Sequence, residues 1–199
     1  EFAGMVSHDL RSPLTVAQGH LEMVSADHES AHVETATDAL DRMDEIISEV
    51  LALARQGQPI DETEQVSLEV VARDSWGMID SRDATLEIAG TLEFEADEGR
   101  LRQLFENLFR NALDHAGPDV TVTVGTREGG TGFFVADDGP GIPPDEREQV
   151  FESGFTMREG GTGFGLAIAK EIAEAHGWAI DVGESETGGA RFDIDGLDT

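Results

Sequence analysis

The sequence predicts an α+β fold in which an N-terminal antiparallel helical hairpin is followed by a two-layer α/β sandwich. Three observations predict it. Residues 1–56 carry two apolar stripes at helical spacing, and residues 66–199 mix helical periodicity with alternating strands. Between them, RQGQPIDETEQ (55–65) combines a glycine, a proline and a charged run, which is typical of a connection. We therefore place one domain at 1–56, a linker at 57–65 and a second domain at 66–199.

The first domain is predicted to be a hairpin because apolar residues recur in steps of three and four along both of its halves. The first stripe contains Ala3, Val6, Leu10, Leu14, Ala17, Leu21 and Val24. The second stripe contains Val33, Ala36, Leu40, Met43, Ile47, Val50 and Ala54. One hairpin cannot bury an apolar seam on both arms, so we expect a homodimer in which two hairpins form a four-helix bundle.

The second domain is predicted to combine helices with a sheet. Helical periodicity fits residues 67–79, 98–116 and 163–177. Strands are predicted at residues 84–88, 120–126, 132–138, 179–184 and 190–195. Because several of these strands alternate strictly, one face of the sheet is expected to be covered by helices and the other solvated.

Two glycine-rich loops are the strongest local signals in the second domain. In VADDGPGIP (135–143), Asp137 follows an apolar strand, where its carboxylate can accept a hydrogen bond from an exocyclic amine such as that of adenine. GGTGFGLAI (160–168) leads into a helix, so backbone amides and a helix N-terminus converge where phosphate oxygens can bind. Either loop alone also fits an ordinary tight turn. Together they favour a nucleotide site.

A pair of asparagines strengthens this interpretation. Asn107 and Asn111 are four residues apart in a helical pattern, so both amides share one face of the helix. Neutral carbonyl oxygens near phosphates suit Mg²⁺, which takes few protein ligands. The alternative is a solvated helix face, and the two glycine loops that follow in order favour the magnesium site.

These motifs resemble the ATP-binding domain of sensor histidine kinases, a branch of the fold shared with gyrase, Hsp90 and MutL. The resemblance covers an N box at Asn107 and Asn111, a G1 box at 137–141, an F box at Phe151 and Phe155, a G2 box at 161–166 and a closing motif at 188–192. It implies ATP and Mg²⁺ as cofactors, with Asn111 and Asn107 as metal ligands. The residues that it implies around the nucleotide are Asn107, Asn111, His115, Asp137, Gly139, Gly141, Ile142, Phe155, Arg158, Gly161, Thr162, Gly163, Phe164, Gly165 and Leu166.

The N-terminal segment FAGMVSHDLRSPL (2–14) resembles the H box of the phosphoacceptor domain in the same family. His8 lies off the apolar stripe and is therefore expected to face solvent. The resemblance implies that His8 accepts the phosphoryl group and that Asp9 fixes the tautomer of its ring. Ser12 stands where related kinases often have Thr or Asn to orient a water for dephosphorylating the partner, so phosphatase activity stays open. We expect the remaining histidines to be ordinary solvated residues: His20, His28, His32 and His176.

Three functions remain open at this stage. The first is a histidine kinase that phosphorylates His8 and passes the group to an aspartate of a response regulator. The second is an ATP-hydrolysing protein of the gyrase and Hsp90 kind, which Asn107 disfavours because hydrolysing relatives have a glutamate there as general base. The third is a nucleotide-binding scaffold without transfer. It is suggested only by Asp114, which stands where many members of the family carry a phosphate-contacting lysine.

The segment between the loops, residues 143–163, is predicted to be a lid over the nucleotide. Phe155 is expected to hold it closed. Arg158 is the candidate to supply the cation that Asp114 does not, and His115 is a candidate to stack on the base or to contact a phosphate.

Composition narrows the partners. The chain has 42 acidic and 13 basic residues, a net charge of −29, which argues against a nucleic-acid partner because phosphate contacts need clustered Lys and Arg. It has no cysteine and no apolar run of membrane-spanning length. We expect a cytoplasmic fragment whose parent protein is anchored through an upstream sensory or membrane region, and a receiver domain of a response regulator as its partner.

The acidic excess is spread along the whole chain, as in proteins from extreme halophiles. In molar salt the Debye length falls to about 3 Å, so self-repulsion is largely screened. We therefore predict that the fold loosens in dilute buffer and that its melting temperature rises with salt. A melting temperature unchanged between low and molar salt would contradict this prediction.

Overall fold

A computed structural model of the chain describes residues 60, 62–81, 83–117, 119–127, 129–155 and 163–197, together with Ala17, Leu21, Leu40 and Met43. The chain divides into two compact units, residues 1–56 and 57–199. In the first unit the four described residues are helical, and they come from both predicted stripes. The rest of the predicted hairpin lies outside the described residues, and the exact domain limits stay a prediction.

The second unit contains seven strands, three α-helices and one 3₁₀ turn within the described ranges. They are β1 (Glu64–Ser67), α1 (Leu68–Trp76), β2 (Thr85–Ala89), β3 (Glu93–Ala96), α2 (Glu98–Ala116), β4 (Thr121–Thr126), β5 (Gly132–Asp137), the 3₁₀ turn (Gln149–Phe151), α3 (Gly165–Ala175), β6 (Ala179–Glu184) and β7 (Ala190–Asp195).

Five of the strands form one sheet in the order β2-β4-β5-β7-β6, with β2 parallel to β4 and the other pairs antiparallel. Helix α2 packs on β5 and is flanked by α1 and α3. The alternation predicted from the sequence buries one face of the central strands, as at Val124, Val135 and Phe192. The predicted two-layer α/β sandwich is confirmed.

The core under α2 is aromatic. Phe105 of α2 contacts Phe133 of β5 with ring centroids 5.5 Å apart, and Phe94 lies 5.9 Å from Phe133 and 5.7 Å from Trp178. All four side chains are buried. Because α2 carries both asparagines, this packing fixes the helix on which the site depends.

A two-stranded ribbon was not predicted. β1 pairs antiparallel with β3, which places Val66 opposite Phe94, and both residues are buried. β1 begins at Glu64, inside the segment predicted as a linker. Helix α1 also ends three residues before the predicted limit, at Trp76, because the poor helix former Gly77 follows it.

His176 is not a solvated residue, so that prediction is wrong. Its Nε2 accepts a hydrogen bond from the backbone N–H of Asp97 at 3.0 Å, and its Nδ1 lies 2.8 Å from the carbonyl oxygen of Ile172. The ring stacks on Trp178 with centroids 4.0 Å apart. Since Nε2 accepts, Nδ1 carries the proton and donates to Ile172. The neutral ring thus ties the end of α3 to the cap of α2.

Burial lowers the pKa of His176, although Ile172 and Asp97 oppose this effect and Arg100 adds to it. The unfolded chain therefore takes up the proton first. The stability that the neutral ring contributes is fully present above the unfolded pKa of about 6.5, and it is lost as the pH falls through the lower folded pKa.

We predict that the free energy of unfolding decreases between about pH 8 and about pH 5, and that His176→Gln reduces this dependence. Urea denaturation at both pH values measures it. The control is His115→Gln, which makes the same replacement at an exposed histidine of the same unit. An identical pH dependence in His176→Gln and the wild type would contradict the prediction.

Candidate functional site

Asp137 is the last residue of β5 and is buried, with 8% of its surface exposed. Its Oδ1 accepts hydrogen bonds from the backbone N–H groups of Gly139 at 2.9 Å and Ala190 at 3.1 Å. Burial raises the pKa of Asp137, and these two amide donors oppose that effect. The carboxylate is therefore held in one orientation by main-chain groups.

The backbone approaches Asp137 so closely that only glycine fits at one neighbouring position. A Cβ added at Gly189 would lie 2.1 Å from the carbonyl oxygen of Asp137. A Cβ added at Gly139 would lie 2.2 Å from Cβ of Ala116, at the end of α2. The first glycine loop is thus packed between the β6–β7 turn and the helix that carries the asparagines.

The two asparagines lie on α2, half-buried and one turn apart. Nδ2 of Asn107 donates to the carbonyl oxygen of Gln103 at 2.8 Å, which fixes the orientation of its amide. Its Oδ1 would lie 3.4 Å from a Cβ added at Gly165, so this oxygen faces the first residue of α3. The N box and the second glycine loop therefore meet.

Helix α3 begins at Gly165, and its N-cap residue Phe164 makes no side-chain hydrogen bond to the first turn. The side chain of Phe164 thus provides no cap, and the amide N–H groups at a helix start can donate to an anion. Phe164, Gly165 and Leu166 are half-buried. This is the arrangement predicted for a phosphate contact.

The predicted lid is described only up to Phe155 and again at Gly163. Its first part contains the 3₁₀ turn, in which Val150 is buried and Phe151 meets the ring of Phe192 edge-on at 6.3 Å. The N–H of Gly154 donates to the carbonyl oxygen of Gly163 at 2.9 Å, so a main-chain bond joins the described residues before and after residues 156–162.

The other predicted site residues differ in burial, and some of them lie outside the described residues. Ile142 is buried, and its carbonyl oxygen accepts from Nε of Arg147 at 3.1 Å. His115 is exposed near the end of α2, and Phe155 and Gly141 are half-buried. Outside the described residues lie His8, Asp9, Ser12, Arg158, Gly161 and Thr162.

Sequence reasoning missed two hydroxyls behind Asp137. Oγ of Ser185 donates to the carbonyl oxygen of Asp137 at 2.7 Å, and Oγ1 of Thr187 lies 3.3 Å from the same oxygen. The signal was the run SETGG (185–189), whose Ser, Thr and Gly residues are typical of a turn with side-chain to backbone bonds.

The described residues fit a nucleotide. A buried carboxylate can accept from the adenine amine, the amide N–H groups at the start of a helix can donate to phosphate oxygens, and an asparagine oxygen faces that helix start. Such an arrangement defines a nucleotide-binding domain.

The comparisons with known proteins agree with this class. Residues 96–198 match the family described as histidine kinase-, DNA gyrase B- and HSP90-like ATPase, and residues 1–59 match the His kinase A (phospho-acceptor) domain. The chain therefore belongs to the histidine kinase-, DNA gyrase B- and HSP90-like ATPase family, with a phosphoacceptor domain ahead of the ATPase-like domain. The predicted resemblance to the core of sensor histidine kinases is confirmed.

Individual relatives are similar over most of this chain. It is 34% identical over 209 residues to the sensor histidine kinase ZraS of Salmonella typhi, an alignment that covers 96% of this chain and 44% of that protein. The match to the crystal structure of full-length ShkA in complex with AMPPNP covers 100% of this chain and 46% of the ShkA chain, with a TM-score of 0.67 and 29% sequence identity. The mycobacterial sensor histidine kinase MprB covers 69% of this chain and 98% of its own, with a TM-score of 0.61 and 28% identity.

This chain thus spans less than half the length of the ZraS proteins that it matches. None of the helices formed by the described residues has the length and hydrophobicity needed to cross a membrane.

Proposed function

We propose that this chain transfers the γ-phosphoryl group of ATP to His8 and then to an aspartate on the receiver domain of a response regulator. The observation that carries the proposal is the presence in one chain of a phosphoacceptor domain at residues 1–59 and a nucleotide-binding domain at residues 96–198. The ShkA complex with AMPPNP, an ATP analogue, supports a nucleotide in the second domain.

Asp137 reads the base in this proposal. Its carboxylate accepts from the exocyclic amine of adenine, because an ionised carboxylate is only an acceptor. The start of α3 faces the phosphates, because the amide N–H groups and the dipole at a helix N-terminus favour negative charge. Asn111, with Asn107 beside it, would hold Mg²⁺, which neutralises charge on the β- and γ-phosphates when it is bound.

The transfer step needs a neutral imidazole. A nitrogen of His8 attacks the γ-phosphorus, the bond from phosphorus to the oxygen of the β-phosphate breaks, and ADP leaves. Asp9 stabilises the imidazolium-like product and fixes the tautomer of the ring. An unperturbed histidine has a pKa of about 6.5, so at pH 7 this side chain is neutral in most molecules. The aspartate of the receiver domain then attacks the same phosphorus and releases His8.

Asn107 supports transfer over hydrolysis. Its amide cannot take a proton from water at neutral pH, and its Nδ2 already donates to Gln103. No general base is therefore supplied at this position of α2. The second candidate, an ATP-hydrolysing protein of the gyrase and Hsp90 kind, would need a base from elsewhere.

We propose a homodimer because the apolar seam on both arms of the hairpin needs a second copy to be buried. We place this core in the cytoplasm, where ATP is available as donor. The acidic excess leads us to propose adaptation to high salt as well.

Incubation with γ-labelled ATP and Mg²⁺ tests the proposal against its alternatives. A kinase is expected to yield protein-bound label that acid removes and alkali leaves in place. Release of free phosphate without protein label would favour the hydrolysing protein. Nucleotide binding with neither product would favour a scaffold.

A further inference from the structure

Ser185 is a buried hydroxyl directly after β6, with 8% of its surface exposed. Its Oγ donates to the carbonyl oxygen of Asp137 at 2.7 Å and accepts from the backbone N–H of Gly189 at 2.9 Å. The backbone N–H of Ser185 donates to the carbonyl oxygen of Gly189 at 2.9 Å. Ser185 therefore closes the β6–β7 turn and fastens it to the main chain of Asp137.

The same turn also holds the carboxylate. The N–H of Ala190, the next residue after Gly189, donates to Oδ1 of Asp137 at 3.1 Å. The turn thus makes two hydrogen bonds to Asp137. Ser185 donates to its peptide carbonyl, and the N–H of Ala190 donates to its side chain. Because a Cβ at Gly189 would lie 2.1 Å from the carbonyl oxygen of Asp137, the turn sits in direct contact with this residue.

We propose that Ser185 is a positioning residue for nucleobase recognition, which acts through Asp137 on the contact with the exocyclic amine of adenine. This inference rests on the proposed function, in which Asp137 reads the base. Ser185 itself touches neither the base nor the phosphates. It fixes the direction in which the carboxylate oxygens of Asp137 point.

The hydrogen bonds of Ser185 explain why removing its hydroxyl should weaken the contact between Asp137 and the adenine base. Removing the hydroxyl leaves the N–H of Gly189 without this acceptor and removes the 2.7 Å bond to the carbonyl of Asp137. It also removes the partner of Oγ1 of Thr187, which lies 2.9 Å from Oγ of Ser185. Both main-chain groups are in the interior, where an unpaired polar group is unfavourable and the backbone shifts to relieve it. A shift of this backbone turns the carboxylate away from the amine.

The test compares ATP with purine riboside triphosphate, which lacks the exocyclic amine, in the full chain. Dissociation constants are measured by calorimetry for the wild type and Ser185→Ala. We expect Ser185→Ala to bind ATP about five- to tenfold more weakly and purine riboside triphosphate with less than about a twofold change. A merely structural role would weaken both nucleotides equally, and that result overturns the inference.

Two further variants show whether Ser185 acts through Asp137. Glu186→Ala truncates an exposed side chain of the same turn and is expected to change ATP affinity by less than about twofold. Adding Ser185→Ala to Asp137→Asn is expected to cause no further loss of ATP affinity, because the contact through which Ser185 acts is already gone. An additional loss equal to that of Ser185→Ala alone would overturn the inference.

The wild type separates this inference from the proposed function. If it binds ATP more tightly than purine riboside triphosphate but Ser185→Ala does the same to the same degree, only the inference fails. If the wild type binds no ATP, the proposed function fails and the inference fails with it.

Discussion

Replacing His8 with glutamine is expected to abolish protein-bound label from γ-labelled ATP while leaving ATP affinity unchanged. Glutamine has no nitrogen that can attack phosphorus at neutral pH, so the loss should be complete rather than partial. Nucleotide affinity should remain, because the residues proposed to bind ATP lie in the other unit of the chain. The measurement pairs labelling with calorimetric titration of ATP.

His20→Gln is the matched control for this experiment, since it changes another histidine of the same phosphoacceptor domain. We expect it to keep the wild-type level of label. Acid-labile label on His8→Gln at the wild-type level would show that another residue is the acceptor and would contradict the proposal.

Replacing Asp137 with asparagine is expected to weaken ATP binding by roughly 10- to 100-fold, the range typical of losing a hydrogen bond to a charged group. The oxygen of asparagine can still accept from the amides of Gly139 and Ala190. Its NH₂ group then takes the place of the second carboxylate oxygen and faces the amine of adenine, donor against donor. The fold should survive, because the two main-chain bonds are kept.

Asp138→Asn is the control, because Asp138 is the neighbouring carboxylate but is exposed, and its Oδ1 accepts from the N–H of Thr121 at 2.8 Å. We expect it to leave ATP affinity within about twofold of the wild type, since it makes no proposed contact with the base. If both variants bound ATP as tightly as the wild type, Asp137 would not read the base.

The elements that could be predicted from the sequence are those whose signals are local. Helix α2 has the predicted limits, 98–116, because Asp97 caps its start by accepting from the N–H of Arg100 and Gly117 follows its end. Strands β6 and β7 also have their predicted limits, since both alternate and are bounded by turn residues.

The features that could not be predicted depend on residues far apart in the chain. The β1–β3 ribbon joins two four-residue strands, and although β3 alternates between exposed and buried residues, neither strand carries a signal that identifies its partner. The partner of His176, Asp97, lies 79 positions away, so nothing around the histidine reveals that its ring is held. Tertiary contacts determine both the β1–β3 pairing and the hydrogen bonding of His176.

In the candidate site, too, the local motifs could be predicted from the sequence and the long-range contacts could not. The glycine loops and the asparagine pair were visible as motifs, and the structure places Gly139 against α2 and Asn107 against the start of α3. The run SETGG (185–189) indicates a turn with side-chain to backbone bonds, but it does not reveal that Ser185 bonds to Asp137, 48 positions away. The phosphoacceptor motif around His8 lies outside the described residues, so its role stays a proposal.

The proposal that His8 accepts the γ-phosphoryl group of ATP is tested most directly by mapping the phosphoryl group after incubation of the chain with ATP and Mg²⁺. Mass spectrometry of peptides, prepared without acid so that a phosphohistidine survives, identifies the modified residue. We predict phosphorylation of His8, dependent on ATP. A phosphoryl group on any other residue, or phosphate released with His8 unmodified throughout, would contradict it.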